Sequence, residues 1–182
     1  MNELHTNMVP FPRLHYISSS VSPLLFPTTS SNFVSGKSVK PDNLFTSAWS
    51  RENQLLKINP LGGTLLGATI LGRGSISVSD IHRNIDRFRS KVKFVPWSVG
   101  DAVKIGLCSV PPPGLTSSVM SLVNTSNMSS IFKNAHVHHY LQVPGFSKED
   151  FADSLESLIR LEDEYSQMDN IKAKSIPRLQ TL

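Results

Sequence analysis

The sequence predicts an α+β fold: a two-layer sandwich of a small mixed sheet with helices on one face, followed by a C-terminal helix. Three stretches carry that expectation. Residues Thr64 to Leu71, TLLGATIL, form an apolar run of strand length bounded by glycine, as a central strand requires. Val78, Ile81, Ile85 and Phe88 recur at helical spacing between polar positions, which describes a helix laid on that sheet. Phe151, Leu155, Leu158, Leu161 and Tyr165 make a second, longer helical stripe near the C-terminus.

The remaining elements follow in chain order. Met1 to Asn7 has helical composition without an N-cap and reads as the last turns of a longer helix. Pro10 and Pro12 then hold Val9 and Phe11 extended, because a proline drives the preceding residue out of the helical region. Arg13 to Ser20 alternates enough to predict a strand. From Ser18 to Lys40 the chain is rich in Ser, Thr and Pro and predicts a long loop, of the length that functional or mobile connections have. Pro41 to Lys57 predicts a helix, with proline at its start, Asp42 in its first turn, and Leu44, Phe45, Ala48 and Trp49 at helical spacing. Asn59 to Gly63 is a turn before the central strand. Ser77 and Asp80 mark the start of the amphipathic helix that runs to Arg89. Lys104 to Val110 and Ser117 to Asn124 predict two more strands, separated by Pro111-Pro112-Pro113-Gly114. Ser129 to Ala135 begins a helix, and Phe146 to Met168 is the clearest one, with Ser147 as its cap and Glu149 and Asp150 in its first turn.

Length and composition bound the function. A chain of 182 residues holds one domain with a real core and an appended element. Hydrophobic residues at 39% and charged residues at 18% describe a soluble globular protein, with no apolar run long enough to cross a bilayer and no secretion signal around Glu3. The single cysteine, Cys108, forbids an internal disulfide and fits a reducing compartment. A formal net charge of +4 with pI near 9.3 raises the question of a polyanionic partner. Only Arg83, Arg87, Arg89, Lys91 and Lys93 cluster, and their alternation with apolar positions is that of a solvated helix face. Nucleic acid is therefore not the expected partner, and a basic binding module is the second reading. No Ser/His/Asp set, phosphate loop or paired carboxylates point to an enzyme, and Cys108 sits in an apolar strand where it acts as a small hydrophobe. His136, His138 and His139 have a His-x-His spacing, but no third ligand is fixed nearby, so no metal site is expected.

Residues 7 to 16, NMVPFPRLHY, resemble the segment by which tubulins leave their long central helix and enter the first strand of the second domain. FVPWSVGDAVKIGLCSVPPPGL at residues 94 to 115 resembles the tubulin run from a tryptophan loop through a strand into a Pro-Pro-x-Gly-Leu turn, and Gly72-Arg73-Gly74 resembles the family's turn before a helix. Within the family, His136 to Val143 and Ile176 to Leu179 look most like the ε form, and Ile171 to Leu182 lacks the acid-rich tail of the α and β forms.

The resemblance implies the rest. Residues 1–9 would be the end of the central helix, 10–125 the two-layer second domain, and 126–182 a C-terminal helical region whose first helix is shortened, since His136 follows Ala135 at once. The glycine-rich nucleotide domain has no counterpart here, which implies a truncated or differently spliced form without GTP or any other cofactor, and not an enzyme, although intact family members are GTPases. Glu3 stands where α-tubulin carries the acidic residue that acts on the GTP of the next subunit, a role a carboxylate suits because it can accept a proton from water. The implied partners are other tubulin-family subunits, with the loop at Ser22 to Lys40 making lateral contacts and the Glu3 end longitudinal ones. The implied place is the cytoplasmic cytoskeleton, at the centrosome, centriole or basal body. Leu4, Met8, Phe151, Leu155 and Leu158 are the expected members of an apolar surface left open to self-association.

Overall fold

A computed structural model describes residues 6–24, 40–98, 102–132 and 148–171. Its centre is β2 (Thr64–Gly74), the apolar run read from the sequence, extended to the glycine pair beyond it. On one side β2 pairs antiparallel with β5 (Ser117–Thr125), which pairs antiparallel with β1 (Ser18–Ser22). On its other side β2 pairs in parallel with β3 (Lys93–Phe94) and then with β4 (Val103–Cys108). The sheet is mixed because a helix, α2 (Val78–Arg89), carries the chain back between β2 and its parallel neighbours.

Two helices cover one face. The first, α1 (Pro41–Ala48), has proline in its first turn, and Ser77 caps α2 by accepting the Asp80 N–H at 3.1 Å. Leu44, Phe45, Trp49, Ile81, Ile85 and Phe88 pack on Leu65, Ala68, Ile70, Val119 and Val123 in one cluster. Phe88 is wholly buried and stacks on Trp49 with ring centroids 4.6 Å apart, a burial that stabilises by about 2–3 kcal/mol. Leu65 joins Ala68 and Ile70 on this face although their spacing is odd, because the ladder with β5 slips by one residue between Leu65 and Gly67. That slip leaves Leu66 in a second cluster with Leu14, Ile58, Val95, Met128, Leu161 and Tyr165. Through this cluster the C-terminal helix, α4 (Lys148–Asn170), meets the end of the sheet where β2 begins; a short α3 (Ser129–Phe132) precedes it.

The α+β sandwich and its central strand match the sequence expectation, and several boundaries differ for physical reasons. The first strand is Ser18–Ser22 instead of Arg13 to Ser20. Residues 11–14 form a turn instead, closed by the Leu14 N–H on the Phe11 carbonyl at 3.0 Å, with Pro12 presetting the bend. β1 lies inside what reads as loop, because its serines are buried: Ser18 donates to Gln54 Oε1 and Ser20 to the Ala48 carbonyl. That second bond also explains why α1 stops at Ala48 and not near Lys57. The Ala48 carbonyl is taken by Ser20 Oγ at 2.6 Å and Gln54 Nε2 at 2.9 Å, and the chain turns into a 3-10 turn at Arg51–Asn53.

Two expectations about burial are also corrected. Val78 begins the α2 stripe in the sequence but, as the first residue of the helix, is 58% exposed, and the buried stripe starts at Ile81. Met8, expected to lie open, is wholly buried. Gly67 has no Cβ, and one built there would come within 3.1 Å of the Asn7 carbonyl and Met8 Cα, so this glycine lets the N-terminal segment lie directly on β2. Of the other expected members, Leu155 is exposed, Leu158 half-buried, and Leu4 and the Phe151 side chain lie outside the described positions.

Candidate functional site

Two runs far apart in sequence meet at the surface. Phe11 sits at the head of its proline turn, and Trp97 in the 3-10 turn Pro96–Ser98 that follows β3. Their rings are 5.9 Å apart and cross at 80°, edge to face, while remaining 45% and 50% exposed. Each is presented by buried neighbours. Leu14 anchors the turn below Phe11, and Val95, wholly buried, donates its N–H to the Leu65 carbonyl at 3.1 Å just before Trp97. An exposed aromatic pair on a rigid base suits contact with an apolar patch of another protein, because both rings are already ordered.

A buried polar lock holds the Phe11 turn in place. Asn124 near the end of β5 donates its amide to the Met8 carbonyl at 2.8 Å and to the Leu14 carbonyl at 2.7 Å. Its Oδ1 accepts from the Tyr165 hydroxyl at 3.4 Å, and that hydroxyl accepts the Tyr16 N–H at 3.1 Å. One asparagine therefore joins the N-terminal segment, the sheet and α4. One turn further along α4, Asp169 accepts from the Thr64 N–H at 3.0 Å and the Ser126 hydroxyl at 2.7 Å. Burial raises the pKa of its carboxyl, but these two bonds prevail and hold it below the ordinary range. Arg13 and Glu164 add an ion pair at 2.6 Å over the outside. Grooves of about 480 Å³ and about 300 Å³ flank residues 11–16 where they run beside α4.

Burial pushes the Tyr165 phenol up to about 12. An unfolded tyrosine ionises near 10, so the stability that the neutral phenol supplies is complete below about pH 10 and is lost as pH rises towards 12. The melting temperature should fall steeply in that window, and Tyr165→Phe should flatten the slope. An equal slope in both proteins would show that the phenol is not held neutral by the fold.

The basic cluster is largely engaged within the fold. Arg83 donates to Asp42 Oδ1 at 2.8 Å and Asp80 Oδ1 at 2.7 Å, and Arg87 to Asn84 Oδ1 and Thr46 Oγ1. The hydrogen bond from Arg83 is the main reason the Asp42 carboxyl is held low, and the Ser77 hydroxyl does the same for Asp80. These side chains fasten α1 to α2. Glu3, His136, His138 and His139 lie outside the described residues, as do residues 25–39 of the long loop. Among the described residues no group of three His, Cys, Asp or Glu side chains could hold a metal ion, and no helix is long and apolar enough to cross a membrane.

The aromatic pair and the asparagine lock are not singled out by sequence pattern. Phe11 and Trp97 look like ordinary apolar residues until the fold brings them together, and Asn124 is one polar letter in an apolar strand.

Residues 12–137 match the family model described as the tubulin C-terminal domain. The chain is 36% identical to the human tubulin epsilon chain, over 98% of its own length and 40% of the relative's. It is 34% identical to the mouse tubulin epsilon chain, over 97% and 39%, and 29% identical to the tubulin alpha-6 chain of Naegleria pringsheimi, over 92% and 41%. The chain thus spans about 40% of the length of these curated relatives.

Proposed function

We propose that this chain, which belongs to the tubulin family by its C-terminal domain and is most like the epsilon chains, supplies a subunit-contact surface in a microtubule-based structure of the centriole or basal-body kind. Its role is structural, and it does not itself turn over GTP. One observation carries the reading. The two runs by which the sequence resembles the family, around Phe11 and around Trp97, converge on one exposed aromatic pair. Aromatic residues that served only the monomer's core would be buried instead of half exposed, and tryptophan at the centre of a contact commonly dominates its energy. On the same reading Glu3 is assigned, by the family resemblance alone, the part of the acidic residue that acts on the nucleotide of a neighbouring subunit.

The test is binding of the chain to tubulin-family subunits, measured by co-sedimentation with and without Phe11→Ala and Trp97→Ala. The double variant should bind at least about tenfold more weakly, the usual effect of truncating central aromatic anchors. Because both rings are half exposed, its melting temperature should stay close to that of the parent. Undiminished binding by the double variant, or no binding by the parent chain, would overturn the proposal.

A further inference from the structure

The outer edge of β4 has a different character from the Phe11–Trp97 surface. β4 pairs with β2 on one side only, and among the described residues no strand lies on its other side. The Ala68 N–H donates to the Ala102 carbonyl at 2.9 Å, so by the alternation of a parallel ladder the peptide groups of Ala102, Lys104, Gly106 and Cys108 face β2. Those of Val103, Ile105 and Leu107 then face outward. Their side chains lie on the helix-covered face, where Val103 is buried beneath α2, but Ile105 is 43% and Leu107 45% exposed. Lysine commonly blunts a strand edge, yet Lys104 presents its peptide to β2 and its side chain to the opposite face.

We propose that β4 is a pairing edge for a second copy of this chain, the two β4 strands running antiparallel about a two-fold axis at Ile105. This goes beyond the subunit-contact reading and does not depend on it. In that register Ile105 faces Ile105 of the second copy, and Val103 faces Leu107, so every outward peptide meets an outward peptide and the apolar ladder continues across the axis. Lys104 falls opposite Gly106, and no like charges oppose. A register centred on Lys104 would set the two lysines against each other, and one centred on Gly106 would engage only Ile105 and Leu107 of the outward residues, whereas the Ile105 register engages all three within the strand. A six-residue edge is short of a standard interface, so the dimer is weak and concentration-dependent.

Two measurements decide it, both on the whole chain. In sedimentation between about 5 and 100 µM the parent should pass from monomer towards dimer, and Ile105→Lys, which sets two charges face to face, should weaken the dimer at least about tenfold without lowering the melting temperature. In a Cys108→Ser background, Ile105→Cys should form an intermolecular disulfide under mild oxidation, since directly opposed strand residues lie about 5.5 Å apart at Cα. Leu107→Cys should not, because its copies are displaced along the strands. A monomer throughout the range, equal association by Ile105→Lys, or equal cross-linking by Leu107→Cys would each overturn the proposal.

Discussion

Asn124→Ala is expected to lower the unfolding free energy by about 3–4 kcal/mol. The side chain is wholly buried and its amide holds the Met8 and Leu14 carbonyls while its oxygen holds the Tyr165 hydroxyl. Truncation leaves two buried carbonyls and a phenol without this partner, and each such loss costs about 1–3 kcal/mol before the chain relaxes. A domain has only about 5–15 kcal/mol in total, so the loss is a large fraction. Urea unfolding of the two proteins measures it directly. A difference under about 1 kcal/mol would mean that the N-terminal segment is held by its apolar contacts alone, with Asn124 incidental.

Gly74→Ala should be comparably severe, at about 3 kcal/mol or more, for a steric reason. Gly74 ends β2 with φ at +87°, where a side chain strains the backbone, and a Cβ there would overlap the Thr116 carbonyl oxygen and press on Ser117 Cα. Both obstacles are backbone and cannot swing aside. Gly72→Ala supplies the contrast. Its Cβ would meet the far ends of Leu107, Ile76 and Ile81, which can shift, so about 1 kcal/mol is expected. Equal losses in the two variants, read from the same unfolding curves, would refute the argument from Gly74.

The elements that the sequence made legible are those with strong periodicity. β2 and α2 bury continuous apolar patterns, and the proline that opens α1 and the serine before α2 mark their starts. The extent of β1 was not legible, because Ser18, Ser20 and Ser22 line its buried face and the first two are satisfied by partners far along the chain, which no local pattern reports. The end of α1 was lost for the same reason. At the candidate surface the motif letters were visible, but their convergence was not, since Phe11 and Trp97 are joined only through the turn at residues 11–14 and the short parallel pairing of β3 with β2. Asn124 shows the limit most clearly. A lone asparagine in an apolar strand gives no sign of whether it ties a segment down or simply ends the strand.

The pairing of β1 with β5 also sets an order of events in time. Ser20 meets Ser121, and Val21 meets Met120, across on the order of a hundred residues of chain. β2, α2 and β4 follow one another and can associate early, but β1 has no ladder partner until β5 has been made. With synthesis at about 5–20 residues per second, that interval is on the order of ten seconds on the ribosome. Through it β1 lacks its ladder partner, although Ser18 and Ser20 can already meet Gln54 and the Ala48 carbonyl, and β2 keeps one row of peptide groups unpaired. When β5 emerges it closes both gaps at once, pairing with β2 on one side and β1 on the other, so this strand, made last of the five, completes the sheet.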